Sequence, residues 1–234
     1  MTSKGGNGKL ATAAQAEREK VNGPRSSKGL RARARLLDGA KQVFEENGFL
    51  EARISDIAER AGLSHGSFYH YFESKEEIFR EVAATVDERL SAPLDSVILD
   101  AGSTAPPRQR IREAIRRHLE SYRDEARIMG VIEQVSRYDE VVQGPRLVRH
   151  NHYRQLVADS IRQLQRRGLA DRTLDPTIAA AGLGAMTSRF AEMWFVQGLL
   201  DCNFDDGVEQ LTTLFVNALR LTDGPLRPSA RKAK

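Results

Sequence analysis

Apolar residues recur every three or four positions along most of the chain, and no stretch of useful length alternates in the two-residue rhythm of a strand. The pattern predicts an all-α protein. Over residues 31–47, Leu37, Ala40 and Phe44 form one stripe, widened by Leu36 and Val43. Gly48 follows as a C′ residue, with Phe49 closing over the helix end. Ile57, Ala58 and Ala61 mark a short second helix that Gly62 stops. Leu63 is the apolar residue of the turn. Ser64 stands where an N-cap belongs, ahead of a third helix over residues 65–72. Ser74, Lys75, Glu76 and Glu77 read as a capping box. It opens a fourth helix that keeps Ile78, Val82 and Val86 on one face through at least Leu90. Pro93 is expected to end or kink it, because proline removes a hydrogen bond and clashes with the preceding turn.

Past a loop at residues 102–107 the helical rhythm returns. Ile111, Ile115, Leu119 and Tyr122 share one face, and Met129, Val131, Ile132 and Val135 make the next segment apolar. Pro145 suits a first turn, ahead of a long helix over residues 147–167 closed by Gly168. Asp175-Pro176 is a cap followed by proline at N1, opening a helix to about residue 200. Its first half is small: Ala179, Ala180, Ala181, Gly182, Gly184 and Ala185. Arg189 and Glu192 inside this apolar stretch argue against a membrane span. Asp205-Asp206 opens the last helix, with Val208, Leu211, Leu214, Phe215 and Ala218 as its stripe. No internal repeat is visible.

Two short helices about a Gly-containing turn, behind a supporting helix, make a helix-turn-helix. Such a unit places its second helix in the DNA major groove, with N-terminal residues at the base edges. The run IAERAGLSHGSFYHYFESKEEIF and the preceding LLDGAKQVFEENGF resemble the DNA-binding domain of TetR-family transcriptional regulators. The resemblance covers residues 35–82 without a gap. The order A-x-x-A-G-[LV]-S-x-G-x-[FL]-Y-x-[YH]-F-x-[SN]-K is rarely met by chance. It implies a three-helix DNA-binding head, a helical-bundle ligand-binding and dimerisation domain, and a fourth helix joining them.

The residues of the head suggest individual roles. Ser64 offers a hydroxyl to a phosphate at a helix N-terminus. His65 and Ser67 are polar first-turn residues suited to base edges or phosphates, and Gly66 permits close approach. Tyr69 and His70 face outward. The resemblance matches Tyr69 and Lys75 to DNA-backbone contacts. Arg53 departs from the family, which has Thr or Ser there as cap and phosphate ligand. Arginine cannot cap, but its guanidinium reaches a phosphate, and Ser55 is an alternative cap one register later. Phe68 and Phe72 read as core. No Cys or carboxylate stands at ligand spacing from His65 or His70, so no metal is expected.

Charge changes the picture at the ends of the chain. Residues 1–35 hold nine Lys/Arg against two acids, residues 227–234 hold four against none, and the rest holds 23 against 30. A basic arm beside a helix-turn-helix reads as phosphate-seeking or as a solubilising tail. Residues 1–30 are expected to be a disordered arm, 31–82 the DNA-binding domain, 83–222 the ligand-binding and dimerisation domain, and 223–234 a disordered tail. The single cysteine, Cys202, allows no internal disulfide, and no apolar leader is seen, which fits the cytoplasm. No P-loop, G-x-G-x-x-G or H-E-x-x-H occurs, and the G-x-S-x-G string at Gly62–Gly66 lies across the turn of the helix-turn-helix, so no enzyme activity and no cofactor are expected.

These observations describe a homodimeric, ligand-responsive regulator, foremost a repressor released from operator DNA by a small, largely apolar molecule. Candidate lining residues are Tyr122, Met129, Ile132, Tyr138, Tyr153, Met186, Phe190, Met193 and Trp194. Arg116, Arg123, Arg127, His150 and His152 lie on the same segments. They allow an anionic head on a lipid-like effector such as a fatty acyl group. The alternatives are an activator, a regulator without effector, and an architectural protein that coats DNA without sequence choice.

Overall fold

The computed structural model describes residues 27–98 and 105–222. The arm expected before residue 27 and the tail expected from 223 lie outside the described residues. Among the described residues the protein is all-α, with no strand, and it divides into two compact units between Val82 and Ala83.

The first unit starts with α1 (Ser27–Glu51), which begins four residues before the expected boundary at residue 31. Its regular helix is broken at Gly48, whose φ of 70° favours glycine. Helix α2 (Ile54–Arg60) follows. Gly62 (φ 65°) ends it in a Schellman turn, with Gly62 N donating to Glu59 O (2.9 Å) and Leu63 N to Ala58 O (2.9 Å). Helix α3 is short (His65–Phe68) and does not reach Phe72 as expected. Tyr71 N and Phe72 N both turn back to Phe68 O, at 2.9 and 3.1 Å. This closure buries Phe68 and Phe72 completely, as expected of core residues. Phe44 meets Phe79 edge-on at 5.0 Å, and Phe49 closes the group at 4.8 Å from Phe79. Gly39 lets α1 and α2 touch: a Cβ there would lie 3.2 Å from Ile57 O and 3.3 Å from Ala61 N.

Helix α4 (Lys75–Ile98) opens in the first unit and continues into the second. Ser74 caps it, accepting from Glu77 N at 3.1 Å, while Glu77 Oε2 accepts from Glu73 N at 2.5 Å. Its helical backbone passes through Pro93, which the sequence reading expected to end or kink it.

The second unit contains α5 (Pro107–Asp124), α6 (Ala126–Ser136), α7 (Glu140–Arg166), α8 (Pro176–Ala191) and α9 (Phe204–Ala218). Helix α7 starts seven residues before the expected residue 147, because Asp139 supplies the cap: its Oδ1 accepts from Val141 N (2.8 Å) and Val142 N (3.1 Å). Pro145 therefore sits inside the helix. Asp175 caps α8 as expected, with Pro176 at N1. That helix stops short of residue 200: a π turn at Glu192–Val196 takes over, and Gln197 N donates to Glu192 O at 3.0 Å. One core forms where Ala158 and Ile161 of α7 meet Ala180 and Leu183 of α8 and Leu219 beyond α9.

Candidate DNA interface and effector cavity

Helix α2 begins at Ile54 with Arg53 as an extended N-cap residue that makes no side-chain cap bond. Ser55 does not cap the helix either: its Oγ donates to Asp56 Oδ1 at 2.9 Å. Both residues are exposed. At α3, Ser64 Oγ accepts from Ser67 N (3.2 Å) and lies 2.7 Å from Ser67 Oγ, so the two hydroxyls are held together. His65, Gly66, Tyr69 and His70 are exposed, and the rings of His65 and Tyr69 pack edge to face at 5.4 Å. A Cβ on Gly66 would meet nothing within 4 Å, so packing does not require glycine there. Eight of the nine sequence candidates thus lie along α2, α3 and the turn after it, on solvent-facing or partly exposed positions.

Lys75 is the correction. Its ammonium donates to Phe49 O (2.8 Å), Leu50 O (3.0 Å) and Ala52 O (2.9 Å), and it lies 4.8 Å from the centre of the Phe49 ring. An ammonium has three donors, and all three are used. Lys75 ties the end of α1 to the start of α4 and leaves no donor for a phosphate.

The second unit encloses a cavity of about 570 Å³ lined by residues of α4 to α9. Its apolar lining includes Ile115, Tyr122, Met129, Val157, Leu183 and Phe215. Its polar lining includes Asp87, Glu133, Arg146, Arg149, His118 and His150. Asp87 and Arg146 are 7% and 5% exposed. Arg146 donates to Glu133 at 2.7 Å. It stands 3.9 Å from Asp87, whose other oxygen is 3.5 Å from Arg149. Burial pushes the Asp87 carboxyl above its ordinary range, and the two guanidiniums pull it part of the way back. Burial pushes the His118 imidazole down to about 4, with His150 adding to the effect, so His118 is uncharged at neutral pH. Both His118 ring nitrogens are sealed from solvent and find no partner among the described residues.

Of the nine residues expected to line a pocket, Tyr122, Met129 and Tyr153 face this cavity. The other six do not. Ile132 is fully buried core, and Tyr138 is 58% exposed. Met186 packs on the α7–α8 core. Phe190 lies in the last turn of α8, and Met193 and Trp194 in the π turn, where Trp194 stacks on Phe195 (4.6 Å) and Phe204 (5.9 Å). A Cβ on Gly207 would lie 2.6 Å from the Trp194 ring, so that ring packs directly against α9. Of the five basic residues expected there, His150 lines the cavity and the other four lie elsewhere. Arg116 pairs with Asp205, Arg123 covers the Phe204 ring at 4.5 Å, and Arg127 and His152 are exposed. Asp87, His118, Arg146 and Arg149 are not legible from sequence, because nothing local marks residues that meet only across three helices.

Residues 36–82 match the family model described as bacterial regulatory proteins, tetR family. That match lies within the first unit and identifies it as similar to the DNA-binding domain of that family. An HTH-type transcriptional regulator of Bacillus subtilis, YdgC, is 41% identical over 76 residues, covering 32% of this chain and 39% of that protein. The HTH-type transcriptional repressor KstR2 of Mycobacterium tuberculosis is 36% identical over 104 residues, covering 40% of this chain and 50% of KstR2. The chain thus matches half or less of the length of these curated relatives. The fatty acid degradation regulator FadR of Bacillus halodurans shares the fold at a TM-score of 0.67 and 17% identity, covering 86% of this chain and all of FadR (100%). SmeT, repressor of a Stenotrophomonas maltophilia multidrug efflux pump, does so at 0.65 and 21%, covering 85% and 94%. Those two likenesses show fold alone. Among the described residues no helix is long and apolar enough to cross a membrane.

Proposed function

We propose that this protein is a homodimeric repressor that holds operator DNA through α2 and α3 and is released by a small molecule in the second-unit cavity. The carrying observation is that Asp87, Leu90 and Ser91 of α4 line the cavity, while the same helix begins inside the DNA-binding unit. An effector there touches the element that leads to the DNA head. Two relatives bear the name repressor, which supports the sign of regulation. Arg53, Ser55, Ser64, His65, Gly66, Ser67, Tyr69 and His70 form the contact set. Two recognition helices must meet successive major grooves ~34–36 Å apart, or one turn further. An effector that prefers another separation by ~1–3 kcal/mol then suffices for release.

The dimer reading rests on α8 and α9. Ile178 is 74% exposed and Leu214 53%, and Ala181, Gly182, Ala185 and Ala218 are exposed beside them. Two copies of such a helix pair suit an isologous four-helix interface. A Cβ on Gly182 would meet nothing within 4 Å, so a side chain fits the single subunit. Gly182→Arg is expected to give a folded monomer by analytical ultracentrifugation, with operator affinity reduced at least tenfold. An unchanged dimer would remove α8 from the interface.

The contact set is tested by binding to a panel of operator variants. Tyr69→Ala is expected to weaken binding to every sequence alike, by about 1 kcal/mol, and His65→Ala to change which sequence is preferred. Uniform loss for His65→Ala would take it out of the base-reading group.

A further inference from the structure

We propose that the effector is an uncharged amphiphile whose hydroxyl or amide N–H donates a hydrogen bond to Asp87. The inference rests on the cavity reading above and concerns the chemistry of that cavity's occupant. Its first support is charge balance. Asp87, Glu133 and Glu192 line the cavity with Arg146, Arg149 and Arg189, and each acid stands within 3.9 Å of one of these guanidiniums. His118 adds no charge at neutral pH. Two basic lining residues remain: Arg154, exposed and bonded to Asn151, and His150, whose imidazole is pushed toward the uncharged form by burial and then by Arg146. An anionic or cationic ligand would therefore add a charge to a cluster whose acids and guanidiniums already pair, in a half-enclosed, partly apolar space.

The second support is the incomplete bonding of Asp87. Glu133 receives Arg146 at 2.7 Å, whereas the nearest guanidinium nitrogens to Asp87 are 3.5 and 3.9 Å away. A carboxylate has about four lone-pair sites, and these distances leave acceptor capacity unused. Asp87 is nonetheless buried and lies on the cavity wall. A neutral donor supplies what it lacks without disturbing the balance. The apolar lining, from Ile115, Val157, Leu183 and Phe215, takes the apolar remainder.

The test uses four probes of one shape: naphthalene, 2-naphthalenemethanol, 2-naphthoate and 2-naphthalenemethylammonium, titrated calorimetrically into the full chain at pH 7. The alcohol is expected to bind about tenfold more tightly than either ion. Asp87→Asn removes one negative charge and is expected to turn the preference toward naphthoate. Glu133→Gln removes a charge from the same cluster at a more exposed position. It is expected to give the same turn, even if the Asp87 variant fails to fold. Naphthoate or the ammonium binding best in the wild-type protein would overturn this inference and keep the cavity reading. So would an alcohol preference unmoved by either variant. No binding by any of the four would overturn the cavity reading, and this inference with it.

Discussion

Arg146→Ala is expected to destabilise the second unit by about 3–5 kcal/mol, the cost of removing one partner from a buried ionic cluster. Arg146 is 5% exposed and joins Glu133 of α6 to Asp87 of α4. Its loss leaves Asp87 facing Arg149 alone. The deficit should depend on pH with a definite sign. The Asp87 carboxyl already lies above its usual 3.8 because burial disfavours the charged form, and Arg146 opposes that rise. Without Arg146 the folded-state value climbs further. A raised acid binds its proton more tightly folded than unfolded, so stability falls as pH rises from about the unfolded value through the folded one. Urea unfolding of wild type and variant should therefore show a smaller deficit at pH 5 than at pH 8. A deficit that is equal at both would mean that Asp87 is not the group left uncompensated.

Lys75→Met is expected to cost the first unit about 2 kcal/mol, since it keeps the apolar stem and deletes three charge-assisted bonds to carbonyls at a partly exposed site. Those carbonyls belong to Phe49, Leu50 and Ala52, where α1 breaks and the chain turns toward α2. DNA binding should weaken because the helix-turn-helix loosens, with no loss of a phosphate contact. The salt dependence separates the two causes. A deleted phosphate contact lowers the slope of log K against log salt by about 0.9. The structure predicts an unchanged slope, and a slope reduced by that amount would restore Lys75 to the contact set.

What the sequence displayed and what it hid divide along the range of the interactions. Caps and helix ends are local, so Ser64, Asp175-Pro176, Gly48, Gly62 and Gly168 were legible from a few neighbouring residues. The all-α architecture followed from the 3.6-residue rhythm in the same way. Asp139 was hidden because Pro145 supplied a competing and weaker start signal. The partners of Lys75 come from 23 to 26 residues upstream and meet it only after Gly48 turns the chain. Tyr122 and Tyr153 reach the cavity, whereas Phe190 and Trp194 do not, because ring stacking satisfies itself. Phe190, Trp194, Phe195 and Phe204 pack on one another and under Arg123. The polar lining that replaces them draws on α4, α5, α6 and α7, and no spacing in one helix announces it.

The most direct test of the account is selection from random double-stranded DNA by the purified protein, read by sequencing. Enrichment of a palindromic site with half-sites about one helical turn apart is the predicted result. Binding without enrichment, fading uniformly as salt rises, would contradict it and favour a protein that coats DNA without regard to sequence.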